Sequence, residues 1–236
     1  MSLARLRLFQ LVSPALPVGA FSYSEGLEVL VQQGVIGDAA GVDRWLRAEL
    51  ARGTLAIEAA TLPRLMEALA RWRDTADGEV WLAVRSLDGW LLAQREAAEM
   101  RAQQRQMGRS LLQLLADLDL PLRSSPDGAD TTVDPPPRLA WPAAWAWAGV
   151  ALGIGRQEVV EAYLYGWVAT QLSAAVRLVP LGPTEAQRLQ LALAPFLVAR
   201  GAELVQTDPL ELWNGGVGAG LAQLGHGELY SRLFRS

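Results

Sequence analysis

Residues 86–118 read SLDGWLLAQREAAEMRAQQRQMGRSLLQLLADL. The segment is rich in leucine, alanine, glutamine, glutamate and arginine, which are all strong helix formers. Its length predicts two helices, or one long helix that bends near Arg95. This segment therefore indicates a helical protein.

Helical periodicity extends over most of the chain. Apolar residues recur three and four positions apart in further segments, which include residues 3–12, 42–50, 62–72, 158–178 and 184–203. No alternating run of β-branched residues is bounded by hairpin turns, so no strand is predicted. The sequence predicts an all-α fold, a single-domain bundle over residues 1–236 with roughly eight to ten helices.

Two stretches interrupt the helical pattern. Residues 121–138 are polar and rich in proline, which predicts a flexible loop. Residues 214–236 contain a glycine-rich segment and a C-terminal tail, which we expect to be flexible unless a contact orders it. The tail carries aromatic residues and arginines, the types enriched at protein interfaces.

Composition excludes most enzyme chemistries. The chain has no cysteine and no lysine, and His226 is its single histidine. A thiolate metal site, a Schiff-base lysine and a phosphate-loop lysine are therefore excluded. One histidine also argues against a histidine-rich metal centre or a Ser-His-Asp triad. We expect a protein that is not an enzyme and binds no cofactor tightly.

Charge and hydropathy limit the classes of partner that the chain is expected to bind. The net charge of −4 argues against non-specific nucleic-acid binding, and there is no basic amphipathic face for a membrane surface. The longest weakly polar run, residues 139–154, is shorter than a bilayer span and contains Pro142. The first residues place arginines inside an apolar stretch, unlike a secretory signal. We expect a cytoplasmic protein that contacts neither membrane nor nucleic acid.

Residues 9–28 form the most distinctive segment, FQLVSPALPVGAFSYSEGLE. Its prolines and Gly19 predict a rigid loop between two helices, and Ser22 or Ser24 is a candidate cap for the second helix. The segment closely resembles the signature of the urease accessory protein UreF family. Members carry the pattern Ser-Pro-x-Leu-Pro-Val-Gly-x-Phe-x-x-Ser-x-Gly-Leu-Glu near the N-terminus.

Three further segments resemble the family in the same order. Residues 95–109 are similar to its central Arg-Glu helix, which ends in a Met-Gly pair. Residues 173–182 are similar to its Ala-Val-Arg-Leu-Val-Pro-Leu-Gly motif, and residues 230–236 to its Tyr-Ser-Arg-Leu-Phe ending. The resemblance thus spans nearly the whole chain.

Three positions depart from the family pattern. Pro183 stands where the family usually has glutamine, and Gly227 stands where it usually has glutamate after the histidine. The dipeptide at 141–142 is Trp-Pro, where the family has a His-Pro-like entry into a helix.

The resemblance implies an all-helical chaperone or adaptor, required for urease maturation by nickel insertion. Family members join a UreD (UreH) partner and the GTPase UreG in a complex on apo-urease. That complex, rather than one chain, handles the Ni²⁺, and family members are often homodimeric in it. The rival interpretation is a GTPase-activating protein, which would act on the UreG-like GTPase through an arginine.

The matched motifs supply the candidate partner-binding residues. They are Pro17, Gly19, Phe21, Ser24, Gly26, Glu28, Arg177, Pro180, Leu181, Gly182, Tyr230, Arg232, Phe234 and Arg235. Arg177 either complements the carbonyls at the end of its helix or offers its guanidinium to the GTPase. The tail is expected to fold onto the UreD-like partner.

No firm metal site is predicted, and three residues are weak, transient candidates for nickel. Glu25 and Glu28 lie three positions apart and would share a face of a helix, and His226 is the third candidate. The simpler interpretation is two solvated glutamates at the start of a helix and a partly exposed histidine that forms hydrogen bonds. Most of the nine tryptophans are expected in the core.

Overall fold

The computed structural model describes residues 3–123 and 138–235. Within these ranges the chain forms ten α-helices, three short 3-10 helices and no strand, which confirms the all-α fold. The α-helices are α1 (Leu3–Leu11), α2 (Leu27–Gln32), α3 (Ala39–Arg52), α4 (Thr54–Thr75), α5 (Gly78–Ala93), α6 (Ala98–Asp117), α7 (Trp141–Leu152), α8 (Arg156–Leu178), α9 (Pro183–Gln206) and α10 (Val217–Gly225). The 3-10 helices are Ala20–Ser22, Pro209–Glu211 and His226–Glu228. Most of the predicted loop 121–138 lies outside the described residues.

The segment 86–118 forms two helices. Helix α5 ends at Ala93 and α6 begins at Ala98, which confirms the first of the two sequence interpretations, and the chain turns around Arg95 between them. The turn carries the Arg95 side chain into the interior, where only 4% of the residue is exposed.

Helices α4 and α7 lie at the centre of the bundle. Helix α4 packs against α3, α5, α7, α8 and α9, and α7 also packs against α6. Five tryptophans are buried and three are partly buried, as predicted, and rings pair at Trp72–Trp81 and Trp141–Trp145. Trp213 is the exception, with 80% of its surface exposed.

Both α5, through Asp88, and α6, through Gly108, contact the start of α7. The carboxylate of Asp88 accepts a hydrogen bond of 2.9 Å from the N–H of Ala140, the residue that caps α7. A Cβ atom at Gly108 would overlap the carbonyl oxygen of Leu139 and lie 2.7 Å from the carbonyl carbon of Ala140. The glycine of the Met-Gly pair is therefore required by packing of α6 against the backbone.

No helix within the described ranges combines the length and the hydropathy that crossing a bilayer requires.

We predict that Gly108→Ala lowers the free energy of unfolding by about 1–3 kcal/mol, because the added methyl group must displace backbone atoms. The matched control is Gly89→Ala on α5, where an added Cβ has no neighbour within 4 Å. Since alanine favours a helix over glycine, the control should gain about 0.5–1 kcal/mol. Urea unfolding followed by circular dichroism measures both, and equal stabilities for the two variants would refute the packing argument.

Candidate functional site

The signature segment 9–28 runs from the end of α1 to the first residues of α2, and it contains the 3-10 helix Ala20–Ser22 and two glycines in the left-handed region. Gly19 has φ of 75° and Gly26 has φ of 93°, values that side-chain-bearing residues rarely adopt. Gly26 also allows close packing of α10, because a Cβ there would lie 3.2 Å from the Cβ of Ala222. Gly26 caps α2, while Ser24 is fully buried and its Oγ accepts a hydrogen bond of 3.5 Å from the N–H of Glu28.

A buried ion pair lies beneath this segment. The guanidinium of Arg95 donates to Oε1 of Glu58 at 2.6 and 2.8 Å, and the hydroxyl of Tyr163 donates to Oε2 of Glu58 at 2.8 Å. Burial raises the pKa of Glu58, although Arg95 and Tyr163 act in the opposite direction. Burial lowers the pKa of Arg95, but the nearby carboxylates outweigh that effect and the net shift is upward.

Glu25 connects the signature segment to this ion pair. Its Oε2 lies 3.7 Å from Nη1 of Arg95 and accepts a hydrogen bond of 3.0 Å from the indole N–H of Trp167. Its Oε1 accepts a bond of 2.9 Å from the side-chain amide of Gln103. The α5–α6 turn, α6 and α8 thus all contact the Glu25 carboxylate, and Arg95 links it to Glu58 of α4.

The expectation that Glu25 and Glu28 share a solvated helix face is wrong. Glu25 has φ of 50° and precedes α2, whereas Glu28 lies in the first turn of α2. The left-handed turn at Glu25 and Gly26 sends the two side chains to different partners. Only 9% of Glu25 and 2% of Glu28 is exposed.

Glu28 holds the C-terminal tail. Its Oε1 accepts a bond of 2.6 Å from the N–H of Leu233, and its Oε2 accepts one of 3.1 Å from the N–H of Phe234. The N–H of Arg235 donates to the carbonyl of Ser22 at 2.8 Å. These contacts order a tail that composition alone leaves mobile, so Phe234 is buried within its own chain instead of exposed to a partner.

His226 is fully buried, which corrects the expectation of a partly exposed residue. Its Nδ1 lies 2.9 Å from a carboxylate oxygen of Glu99, and its Nε2 lies 3.4 Å from Oε2 of Glu28. The two carboxylates therefore flank opposite edges of the ring. Among the described residues, no three acidic or histidine side chains converge on a point where a metal ion would fit. Glu25, Glu28 and His226 are not arranged as a metal centre.

Arg177 links three of the matched motifs. Its Nη2 donates to the carbonyl of Phe21 at 2.9 Å, and its guanidinium carbon lies 4.2 Å from the centre of the Phe234 ring, a cation–π contact. In the same motif as Arg177, Pro180 and Gly182 are exposed, whereas Leu181 is buried.

A group of exposed residues lies on the docked tail and on the segments that contact it, and we call this group the tail face. It consists of Phe21, Arg177, Tyr230, Arg232, Leu233 and Arg235. Tyr230 is fully exposed, and 65% of Phe21 and 58% of Leu233 is exposed. Exposed aromatic and aliphatic side chains beside arginines have the composition of a protein interface.

A cavity of about 360 Å³ opens between the signature segment and α8. The buried ion pair and Glu25 lie in its wall, together with three tryptophans.

The single histidine of the chain contacts two carboxylates, so the described residues provide no Ser-His pair for nucleophilic catalysis.

Comparison with known proteins identifies the family. A family model described as UreF matches residues 36–194. A urease accessory protein UreF of Alkalilimnicola ehrlichii is 40% identical over 99% of this chain and 96% of its own. The urease accessory protein UreF of Thermosynechococcus vestitus is 40% identical over 99% of this chain and 98% of its own. That of Microcystis aeruginosa is 38% identical over 98% of this chain and 97% of its own.

The chain belongs to the UreF family. The matched window 36–194 includes the central helices but omits the signature segment and the tail, both of which the relatives cover. Pro183, a departure from the usual family motif, is accommodated because it begins α9, a position that tolerates proline.

In this UreF family member, the structure brings five of the predicted site residues together. They are Phe21, Glu28, Arg177, Phe234 and Arg235, which meet around the tail. Sequence analysis missed Glu99, which contacts both His226 and Arg232. It also missed four residues around Glu25, namely Glu58, Tyr163, Gln103 and Trp167. One signal was readable, because Glu58 is a lone charge within an apolar stretch of α4.

We predict that Arg95→Met lowers the free energy of unfolding by about 3–5 kcal/mol at neutral pH, because it leaves two buried carboxylates without their cation. The pKa of Glu58 is already above its ordinary 4.5 and rises further without Arg95. A raised carboxyl pKa in the folded state means that stability is lost as pH rises. The deficit should therefore be smallest near pH 4.5 and grow toward neutrality.

The control for this prediction is Arg156→Met, which removes an exposed contact with Glu67 at 3.5 Å. It should cost less than about 1 kcal/mol at every pH. Urea titrations over a pH series measure both variants. An Arg95→Met deficit that does not change with pH would contradict the account of the cluster.

We predict that Glu28→Gln releases the tail. Glutamine carries no charge, and it replaces one of the two accepting oxygens with an NH₂ group that cannot accept a hydrogen bond. The rate of proteolysis between residues 229 and 235 should rise about tenfold or more, since charge-assisted hydrogen bonds each contribute about 1.5–3 kcal/mol. Mass spectrometry of the cleaved chain gives the rate. Glu228→Gln, at an exposed position in the same region, should cleave like the native chain.

Proposed function

We propose that this UreF family member is an adaptor in urease maturation that bridges a UreD/UreH-like protein and the UreG-like GTPase on apo-urease. The observation that carries the proposal is the convergence of three separate motifs on the tail face, through Glu28 and Arg177. The relatives are named urease accessory protein UreF, which supports the same role.

The tail face suits a protein partner better than a small substrate. Its apolar side chains stand outward and are not enclosed, and arginines flank them. Interface hot spots are enriched in tyrosine and arginine, both of which the tail face carries. We assign partner contact to Phe21, Tyr230, Arg232, Leu233 and Arg235, and a positioning role to Glu28, Phe234 and Arg177.

Nickel in this proposal is the cargo of the complex. The adaptor itself contributes surfaces that position its partners relative to one another. It acts in the cytoplasm and forms a homodimer within the complex. Its candidate acidic and histidine residues are engaged with the tail and with Arg95, which favours a structural use of those carboxylates.

The rival function, an arginine that enters the nucleotide site of the GTPase, finds less support at Arg177. Its guanidinium is held by the Phe21 carbonyl and the Phe234 ring of its own chain. An arginine finger accelerates hydrolysis by about 10³–10⁵. Under the adaptor account, Arg177→Ala should change the GTP hydrolysis rate of the complex by no more than about twofold beyond its effect on assembly.

We predict that Tyr230→Ala weakens binding of the UreD/UreH-like or UreG-like partner about thirtyfold, the effect of a hot-spot residue. The folded chain should keep its thermal midpoint, because the fully exposed Tyr230 side chain packs on nothing in its own chain. Copurification from cells that express the whole urease operon, followed by titration of purified partners, measures the effect. Leu82→Ala, an exposed apolar residue on α5, is the control.

Native affinity for every partner in the Tyr230→Ala variant would exclude Tyr230 from the interface. Failure of the native chain to bind any of the three partners would refute the adaptor function itself.

A further inference from the structure

The ring of His226 lies between two carboxylates that both hold the C-terminal tail. Its Nδ1 lies 2.9 Å from Oε2 of Glu99 on α6, and its Nε2 lies 3.4 Å from Oε2 of Glu28 on α2. Glu28 accepts two backbone N–H groups of the tail, at 2.6 and 3.1 Å. Glu99 contacts the guanidinium of Arg232, also in the tail, at 3.3 Å. The histidine therefore joins the two acidic side chains to which the tail is bound.

This arrangement is matched to a proton on both ring nitrogens. An ionised carboxylate only accepts hydrogen bonds, so a nitrogen that faces one stabilises the pair only as an N–H donor. The neutral imidazole ring has a single N–H, and its other nitrogen then directs a lone pair at a negative charge. The imidazolium donates from both nitrogens, and it is the form that the docked tail favours.

The charges around the tail lead to the same conclusion. Only 2% of Glu28 is exposed, and within the described residues His226 is the only side chain that can supply a cation to it. Glu99 already has a cation in Arg232. An uncharged His226 would leave the Glu28 carboxylate buried without a countercharge, which is unfavourable.

The elements around His226 contribute few other ionisable groups. Helix α10 has none, and Glu28 is the only one in α2. Glu228, Tyr230 and Arg235, which follow the histidine in the chain, are exposed. The ring thus has the two carboxylates as its ionic partners within the described part of the chain.

A second titrating group lies near the start of α10. Glu49 of α3 faces Gly216, the residue that caps α10, because a Cβ there would lie 3.2 Å from Oε1 of Glu49. Burial raises the pKa of Glu49 from 4.5 to about 7. A raised carboxyl pKa in the folded state means that ionisation of Glu49 also lowers stability as pH rises. An experiment on His226 must therefore be separated from the effect of Glu49.

We propose that His226 is a proton-dependent latch of the C-terminal tail. The imidazolium donates to Glu28 and Glu99 and holds the tail in place. When the ring loses one proton to water, one of these contacts becomes repulsive and the tail detaches more often. Histidine titrates near pH 6.5 in the absence of perturbation, so docking is favoured below neutral pH and weakens as pH rises.

The latch gives the tail face two states. With the tail docked, Tyr230 and Leu233 project from a fixed base, and with the tail detached that arrangement is lost. Protonation of one side chain would then control whether the surface is available to a partner. This consequence rests on the adaptor function proposed above, whereas the latch is a property of the isolated chain.

Hydrogen exchange of the full chain tests the latch without any partner. Protection factors of the Leu233 and Phe234 amides, which are corrected for the intrinsic exchange rate at each pH, are compared at about pH 6 and about pH 8. We expect them to fall about tenfold or more over this interval. A single linked proton can change the docking equilibrium by up to about tenfold per pH unit.

Two variants separate the histidine from the nearby carboxyl. His226→Gln removes the titrating ring and keeps a polar side chain. Its tail should be less protected than the native tail at about pH 6, and its protection should change by less than about twofold up to about pH 8. The matched control is Glu49→Gln, which removes the other titrating group beside α10 and should retain the native pH dependence.

The protonation state of the ring is measured directly by NMR. Because His226 is the single histidine of the chain, its ring signals need no assignment. The ring ¹⁵N shifts should show protons on both nitrogens at about pH 6 and a neutral ring once the tail loses its protection. This measurement uses the native chain, so it decides the proposal whether or not His226→Gln folds.

Protection that does not change with pH in the native chain would overturn the latch. A ring that lacks one proton at about pH 6 while the tail is protected would overturn it too. A pH dependence that persists in His226→Gln, or that disappears in Glu49→Gln, would assign the effect to Glu49 instead. None of these measurements involves a partner, so failure of the latch and failure of the adaptor function are observed separately.

Discussion

The buried guanidinium of Arg95 is the constraint on which the site depends. It lies between Glu58 of α4 and Glu25 of the signature segment, at the turn that separates α5 from α6. Removal of a charge from water is unfavourable unless it is paired and hydrogen-bonded, so each of these side chains requires the others. Tyr163 and Trp167 of α8 complete the hydrogen bonds. One cluster thereby fixes the signature segment against three helices.

A second carboxylate, that of Glu28, joins the signature segment to the C-terminal tail. Glu28 follows Glu25 by three residues, yet it reaches the opposite end of the chain and binds two backbone N–H groups of the tail. Arg177 covers Phe234 and binds the Phe21 carbonyl, so the tail is held from two sides. The outcome is a rigid base from which Tyr230 and Leu233 project into solvent. Preorganisation of this kind lowers the entropy that a partner must remove on binding.

The sequence predicted the helices well because apolar periodicity and helix-forming residues reflect local physics. It also predicted, as one of two alternatives, that residues 86–118 form two helices. It could not predict that Glu25 has φ of 50°, since a non-glycine residue in that region gives no local signal. The burial of His226 was equally inaccessible, because its partners are 127 and 198 residues away.

Hydrogen exchange of the isolated chain and of its complex with the UreD/UreH-like protein and UreG-like GTPase tests the central claim most directly. If one preassembled surface receives the partners, amides in residues 17–28, 177–182 and 230–235 exchange slowly in the isolated chain and slow further together in the complex. The account is contradicted if the complex protects other parts of the chain and leaves all three of these segments unchanged.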